Sequence, residues 1–389
     1  MNRNLWLLAI CQGLFLTNNV TFIAINGLVG WNLAPLGWMA TLPVMGYVVG
    51  GALSTGVVAR TQRRYGRKTS FQLGLAVAVA SALLCAYAAY SKNFWLLVAA
   101  TVIAGYYNAN AQLYRFAAAE LALPAFREKA ISLVMAGGLL GAVAGPNLAA
   151  GTRSLTEVPF AGAYLALTGV ALLAMVLLAF IQFPPALTQQ SGSGGRPLRE
   201  IMRQPVFIVA AAAGALSYGV MNLLMAATPI AMQVCGLPFS DAALVLEWHV
   251  IGMFAPGFFT GHLIKRFGTL PIMAVGLALN LVCVLIALSG VDFQQFLIAL
   301  FLLGIGWNFL FTGSTALALT AYRQEEKDKA QGALNFCVFA VLALSSFASG
   351  VLVTTQGWTL LNLGSLLPLG LTGLALVWLA LQQRRSPAT

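Results

Sequence analysis

One carboxylate in this chain stands apart from the rest. Glu247, in Leu246-Glu247-Trp248-His249, is the only acidic residue inside an apolar run; the other nine lie in polar stretches or at run ends. A carboxyl group removed from water favours its neutral form, so it is poised to take up and release a proton. His249, two residues on, titrates as well. On a helix the two side chains are about 200° apart and cannot share a face. Glu247 is expected to face a cavity and carry a coupling proton, with His249 as the next candidate. The plainer alternative has Glu247 reaching water or accepting a hydrogen bond from a neighbour.

The polar uncharged residues point the same way. Asn18 and Asn19 lie in the first apolar run, and Tyr106, Tyr107, Asn108 and Gln112 in the fourth. Tyr218 and Asn222 lie in the seventh, and Trp307 and Asn308 in the tenth. Polar side chains are costly in lipid and normally face other helices or a wet cavity. These ten are the expected lining of a substrate cavity, with interhelical hydrogen bonding as the alternative for any single one. Gly105-Tyr106-Tyr107-Asn108 and Gly306-Trp307-Asn308 fall at matching depths, where aromatics can stack on a ring or a cation. Gly137, Gly141 and Gly145, followed by Pro146, line one face of the fifth run and are expected to pack closely on another helix.

Such residues need a frame, and composition supplies it. Of the 389 residues 60% are hydrophobic and 8% charged, too little charge to cover a soluble protein of this size. The apolar runs are unbroken rather than alternating, which gives an all-α membrane protein and excludes a barrel. Twelve transmembrane helices are expected at 5–29, 36–59, 70–91, 94–120, 130–152, 159–183, 206–233, 240–264, 271–290, 293–321, 330–354 and 359–382. The first is read as a retained span, since it is too long for a signal peptide's apolar segment. Residues 185–204 hold a Gln/Ser/Gly-rich stretch and form a linker between residues 1–184 and 205–389, the two expected six-helix bundles. The net charge of +11 is read as membrane orientation rather than nucleic-acid binding: all basic residues except Lys92 and Arg153 fall on one side, which places both termini in the cytoplasm.

The two halves echo each other. Arg63-Arg64-Tyr65-Gly66-Arg67-Lys68 follows the second span and Lys265-Arg266-Phe267-Gly268 follows the eighth, a repeat at 202 residues. Glycine permits the tight turn, and the basic residues meet helix C-termini and lipid phosphates. Arg64, Gly66, Arg67, Lys265, Arg266 and Gly268 are therefore gating or loop candidates. Arg115, near the cytoplasmic end of the fourth span, is either a gate or a side chain snorkelling to head-groups.

These loops, with Gly261 and Leu263, resemble the signature of the major facilitator superfamily, without its aspartate. An aspartate-based charge lock is therefore not carried over. The run from Gly137 to Pro146 is similar to the family's antiporter motif, and strings such as Tyr114-Arg115-Phe116-Ala117-Ala118-Ala119-Glu120 resemble a poorly characterised bacterial branch. The resemblance implies two pseudo-symmetric bundles in a bacterial inner membrane and alternating access.

Function follows by elimination and by resemblance. No phosphate-binding Gly-x-x-x-x-Gly-Lys-Ser/Thr loop is present, and the two histidines and five cysteines show no metal-ligand or disulfide spacing. No enzyme, metal or cofactor is expected. The expected activity is secondary transport of a small organic solute by a monomer, proton-coupled, with efflux ahead of uptake. Expected partners are the solute, protons and membrane lipids, with no nucleic acid. A sensor or assembly protein that transports nothing is the rival class.

Overall fold

The computed structural model describes residues 3–123, 127–183, 195–323 and 326–385, and among these it contains helices and no strand. The helices are α1 (Arg3–Leu33), α2 (Leu42–Tyr90), α3 (Phe94–Ala111), α4 (Tyr114–Leu121), α5 (Arg127–Thr152), α6 (Ala161–Ala179) and α7 (Leu198–Met202). There follow α8 (Pro205–Val234), α9 (Phe239–Phe254), α10 (Gly257–Phe267), α11 (Thr269–Ser289), α12 (Phe293–Leu319), α13 (Lys327–Thr355) and α14 (Gly357–Arg385). A 3₁₀ turn, η1 (Gly37–Met39), joins α1 to α2. Nine described stretches are long and apolar enough to cross a membrane, ten if the bent pair α9–α10 counts as one span. α3 with α4, and α5, occupy the fourth and fifth expected spans. α3 ends in a polar stretch from Tyr106 to Asn110, and α5 opens on charged residues before an apolar run.

Three expected boundaries differ. The loop after the second span is helical on both sides, and only Gly66 leaves the helix, at φ 79° and ψ 170°. Gly268 does the same in the second half, at φ 91° and ψ 160°. That backbone region is essentially restricted to glycine, so the repeated Gly is a conformational requirement. The fourth expected span breaks at Gln112-Leu113 between α3 and α4. The eighth bends by 41° between α9 and α10, at Ala255-Pro256, where proline lacks the N–H that would continue the helix.

Packing repeats along the chain. α1 packs on α5 as α8 packs on α13; α2 packs on α3 as α9 packs on α12; α2 packs on α6 as α11 packs on α14. The glycine row of α5 makes the first of these contacts: a Cβ on Gly137 would collide with the Ala9 carbonyl, and one on Gly141 would lie 2.5 Å from Leu16 Cβ. In α1 and α8, 78% and 72% of the most apolar stretch is buried, against 28% in α14, so the first two are central.

A seam separates α1–α6 from α8–α14 and is crossed by α1–α8, α2–α13 and α5–α9 packing. At one end Thr41 Oγ1 donates to the Ser346 carbonyl at 2.6 Å, and the Trp38 and Phe347 rings meet edge to face at 5.8 Å. Toward the Gly66 and Gly268 end, the stripes that carry these contacts continue along each helix. There they become exposed, at Thr55 on α2, Leu140 and Ala144 on α5, Phe258 and His262 on α10, and Asn335 and Phe336 on α13.

Candidate solute site at the seam

Midway along the seam, α8 and α12 hold an aromatic cluster. Trp307 and Phe311, one turn apart on α12, stack with centroids 5.0 Å apart and planes 12° apart. Tyr218 of α8 stands edge-on to both, at 5.1 Å from Trp307 and 5.2 Å from Phe311. Phe254, at the α9–α10 bend, approaches Trp307 at 6.3 Å. From the other side of the seam come Tyr47 on α2, beside Asn18 on α1 and close to Tyr218. The buried Trp307 Nε1 has no hydrogen-bond partner among the described residues. An indole N–H normally finds a partner when buried, so this donor stands available beside the aromatic cluster.

One turn along α8 from Tyr218, Asn222 ties α8 to α13. Its Nδ2 donates to Ser346 Oγ at 2.7 Å and Ser345 Oγ at 2.9 Å. This network supplies amide and hydroxyl groups beside the aromatic cluster. Asn19, half-buried, follows Asn18 on α1.

Several expected lining residues lie elsewhere. Asn308 is engaged at both ends of its amide: Nδ2 donates to the Met253 carbonyl at 2.6 Å, and Oδ1 accepts from Thr260 at 2.7 Å. It thereby caps a carbonyl that the α9–α10 bend frees, which is a structural task. Tyr107 packs edge-on against Phe15 at 5.6 Å within an apolar cluster of the first half. Tyr106 lines a groove of about 480 Å³ between α3 and the two arms of α2, on the face of α2 away from α13. Asn108 Oδ1 accepts from Gln112 Nε2 at 3.4 Å at the end of α3, while its Nδ2 lies beside Gly51 of α2, which Phe339 of α13 also approaches, so Asn108 does reach the seam.

The two titratable residues point to different neighbours, as their spacing requires. Glu247 Oε2 accepts from Asn147 Nδ2 at 2.7 Å, which links α9 to α5 across the seam. His249 is fully buried, with Nδ1 2.6 Å from the Leu300 carbonyl of α12. Gly145 and Pro146 precede Asn147, and a Cβ on Gly145 would lie 2.9 Å from Val20 Cβ of α1.

At the loops, Arg67 pairs with Glu120 of α4 and with Gln62 Oε1 at 2.6 Å. The guanidinium groups of Arg64 and Arg266 lie over the rings of Tyr65 and Phe267 at 5.2 and 5.1 Å, and Lys265 is exposed. The side chain of Arg115 lies outside those described. Sequence reasoning passed over Glu326, which is fully buried and bound by Arg196 through Nη2 at 2.8 Å and by the Arg323 backbone N–H at 2.9 Å. Arg196 holds that carboxyl far below the usual carboxylate range, with the Arg323 N–H adding to the effect. Phe311 was legible as an aromatic four residues after Trp307, and Asn147 as the polar residue in a glycine-rich run.

The Major Facilitator Superfamily model matches residues 5–255 and 211–389. The chain is 40% identical over 363 residues to the riboflavin transporter RfnT of Brucella anthropi, covering 92% of this chain and 91% of that one. It is 29% identical over 360 residues to the uncharacterized MFS-type transporter YdeG of Bacillus subtilis, covering 88% and 83%. Among solved structures, a bacterial homologue of the human lysosomal transporter Spinster, in an inward-facing and occupied conformation, superposes with a TM-score of 0.75. It is 16% identical and covers 99% and 98% of the two chains. The nucleoside transporter NupG superposes with a TM-score of 0.71 at 9% identity, covering 96% and 99%.

Proposed function

This chain belongs to the major facilitator superfamily, a family of membrane transporters, and on that premise we propose that it carries a flavin-class solute by alternating access. Residues 1–184 and 205–389 act as the two rocking bundles; of the expected linker 185–204, residues 185–194 lie outside those described. The observation that carries the reading is the Tyr218, Trp307 and Phe311 cluster on the seam, with the Trp307 N–H unpaired. A planar heterocycle gains from stacked and edge-on rings together. Its hydroxylated side chain matches the amide and hydroxyl groups of Asn18, Asn222 and Ser346. The 40% identical riboflavin transporter supports that class of solute.

The proton enters through Glu247. Its Oε2 accepts a hydrogen bond from Asn147 Nδ2, which holds α9 to α5. Protonation weakens that bond and frees the seam, so proton uptake and opening are one event. The direction favoured by the Gly-Pro stretch of α5 is efflux, with solute leaving against entering protons. A reporter fused at residue 192 is expected to read as cytoplasmic.

Proteoliposomes loaded with riboflavin test the reading. Flux should respond to an imposed pH gradient and vanish in Trp307→Ala through lost binding. In Glu247→Gln binding should survive while the pH response disappears. Solute accumulating together with entering protons would reassign the direction to uptake. No riboflavin movement in wild-type vesicles would remove the flavin assignment.

A further inference from the structure

Where α5 passes into α6 and α8 into α9, three side chains from both sides of the seam meet. Phe160 precedes α6 and Phe239 opens α9; their rings stand edge to face with centroids 5.1 Å apart. Both rings are buried, at 3% and 8% exposure. The exposed Arg153 guanidinium lies over both, 5.3 Å from the Phe160 centroid and 5.5 Å from that of Phe239. A cation there is attracted by the negative face of each ring. The ion pairs among the described residues are Arg67–Glu120 and Arg196–Glu326, so the rings are Arg153's partners here rather than a carboxylate.

The loop is shaped to hold this arrangement. The Phe160 N–H donates to the Arg153 carbonyl at 2.9 Å, which closes the segment into a ring. Thr156 Oγ1 donates to the Val158 carbonyl at 2.8 Å and accepts from the Gly162 N–H at 3.2 Å. Phe160 sits at φ 68° and ψ −10°, a left-handed conformation that a bulky aromatic residue seldom adopts. The fold maintains that strain at the point where the ring meets Phe239.

Building on the alternating-access reading, we propose that Arg153, Phe160 and Phe239 are the latch that holds this end of the seam shut. Arg153 and Phe160 share one loop, so opening takes both away from Phe239. Phe239 then loses its cation and its ring partner, and both rings meet water; each loss disfavours the open state. The latch is independent of which solute the site takes.

The test uses full-length protein in detergent carrying Cys235→Ser and Cys337→Ser, which leaves the buried Cys11, Cys85 and Cys283. A reporter thiol is placed at Ala243, buried on α9 one turn beyond Phe239. Maleimide labelling at position 243 then measures how often this end opens. Arg153→Gln and Phe239→Leu should each raise that rate roughly tenfold, and Arg153→Lys, which keeps the cation, should stay within about threefold of the parent. Unchanged labelling in both Arg153→Gln and Phe239→Leu overturns the latch. So does labelling that rises in step at Cys11, Cys85 and Cys283, because that marks general unfolding. Absence of riboflavin flux beside an intact labelling difference would fault the transport reading and leave the latch standing.

Discussion

The two ends of the seam are built differently. At the Trp38 end, η1 docks on α13 through the Trp38–Phe347 contact and the start of α2 through the Thr41–Ser346 hydrogen bond, and Phe160 meets Phe239. At the Gly66 end the same helices run on with their seam stripes uncovered, and Phe336 is 73% exposed. One set of helices thus carries both a made interface and an unmade one. An exposed stripe continuous with a buried interface is the surface that the opposite arrangement would cover. On the proposed alternating access, this seam is one of two positions of a rocking pair, with the proposed latch at its closed end.

The largest disruption removes the platform on which the seam stands. Gly141→Leu forces a side chain into the space of Leu16 Cβ and the Gly13 carbonyl, 2.5 and 2.6 Å from where a Cβ would sit. Overpacking of this kind costs about 1–3 kcal/mol or more. Thermal unfolding in detergent should show a clear drop, and flux should be lost; Gly145→Leu should behave alike. Full flux in either variant would detach α5 from the mechanism.

A smaller effect is expected at the bend that shapes the bare end. Asn308→Ala strips the Met253 carbonyl of its amide donor and should cost about 1–3 kcal/mol, seen as a lower melting temperature. The bend itself should persist, since Pro256 imposes it.

The two ion pairs at the bare end should separate by environment. Arg196 and the Arg323 N–H depress the Glu326 carboxyl, so the folded state binds its proton less readily than the unfolded state does. Its contribution is then fully present above the unfolded carboxylate value of about 4.3 and is lost as pH falls below it. Glu326→Gln should lower stability at neutral pH and flatten the acid limb of a stability–pH curve. Arg67→Ala breaks a partly exposed pair and should change stability by only about 0–1 kcal/mol. Equal effects from the two variants would contradict the environmental distinction.

Much of the frame was legible in sequence because lipid imposes it. Apolar run length gave the helices, and the basic-Arg-aromatic-Gly repeat located Gly66 and Gly268, whose backbone angles match. What escaped was side-chain partnership across long separations. A polar residue in an apolar helix announces that it is satisfied, not by whom. Asn222 and Asn308 look equivalent in sequence, yet one stands beside the aromatic cluster and the other caps a bend. Glu326 resembled an ordinary loop charge, because its partner Arg196 lies 130 residues away.

The central claim is that the two ends of the seam open and close in opposition. Spin labels read this directly in full-length protein carrying Cys235→Ser and Cys337→Ser. One pair is placed at Thr55→Cys and Asn335→Cys on the bare end, the other at Leu36→Cys and Thr355→Cys on the closed end; all four positions are exposed. With saturating riboflavin, the first distance should shorten and the second lengthen in the same fraction of molecules. Two distances that stay fixed, or that move in the same sense, would contradict the account.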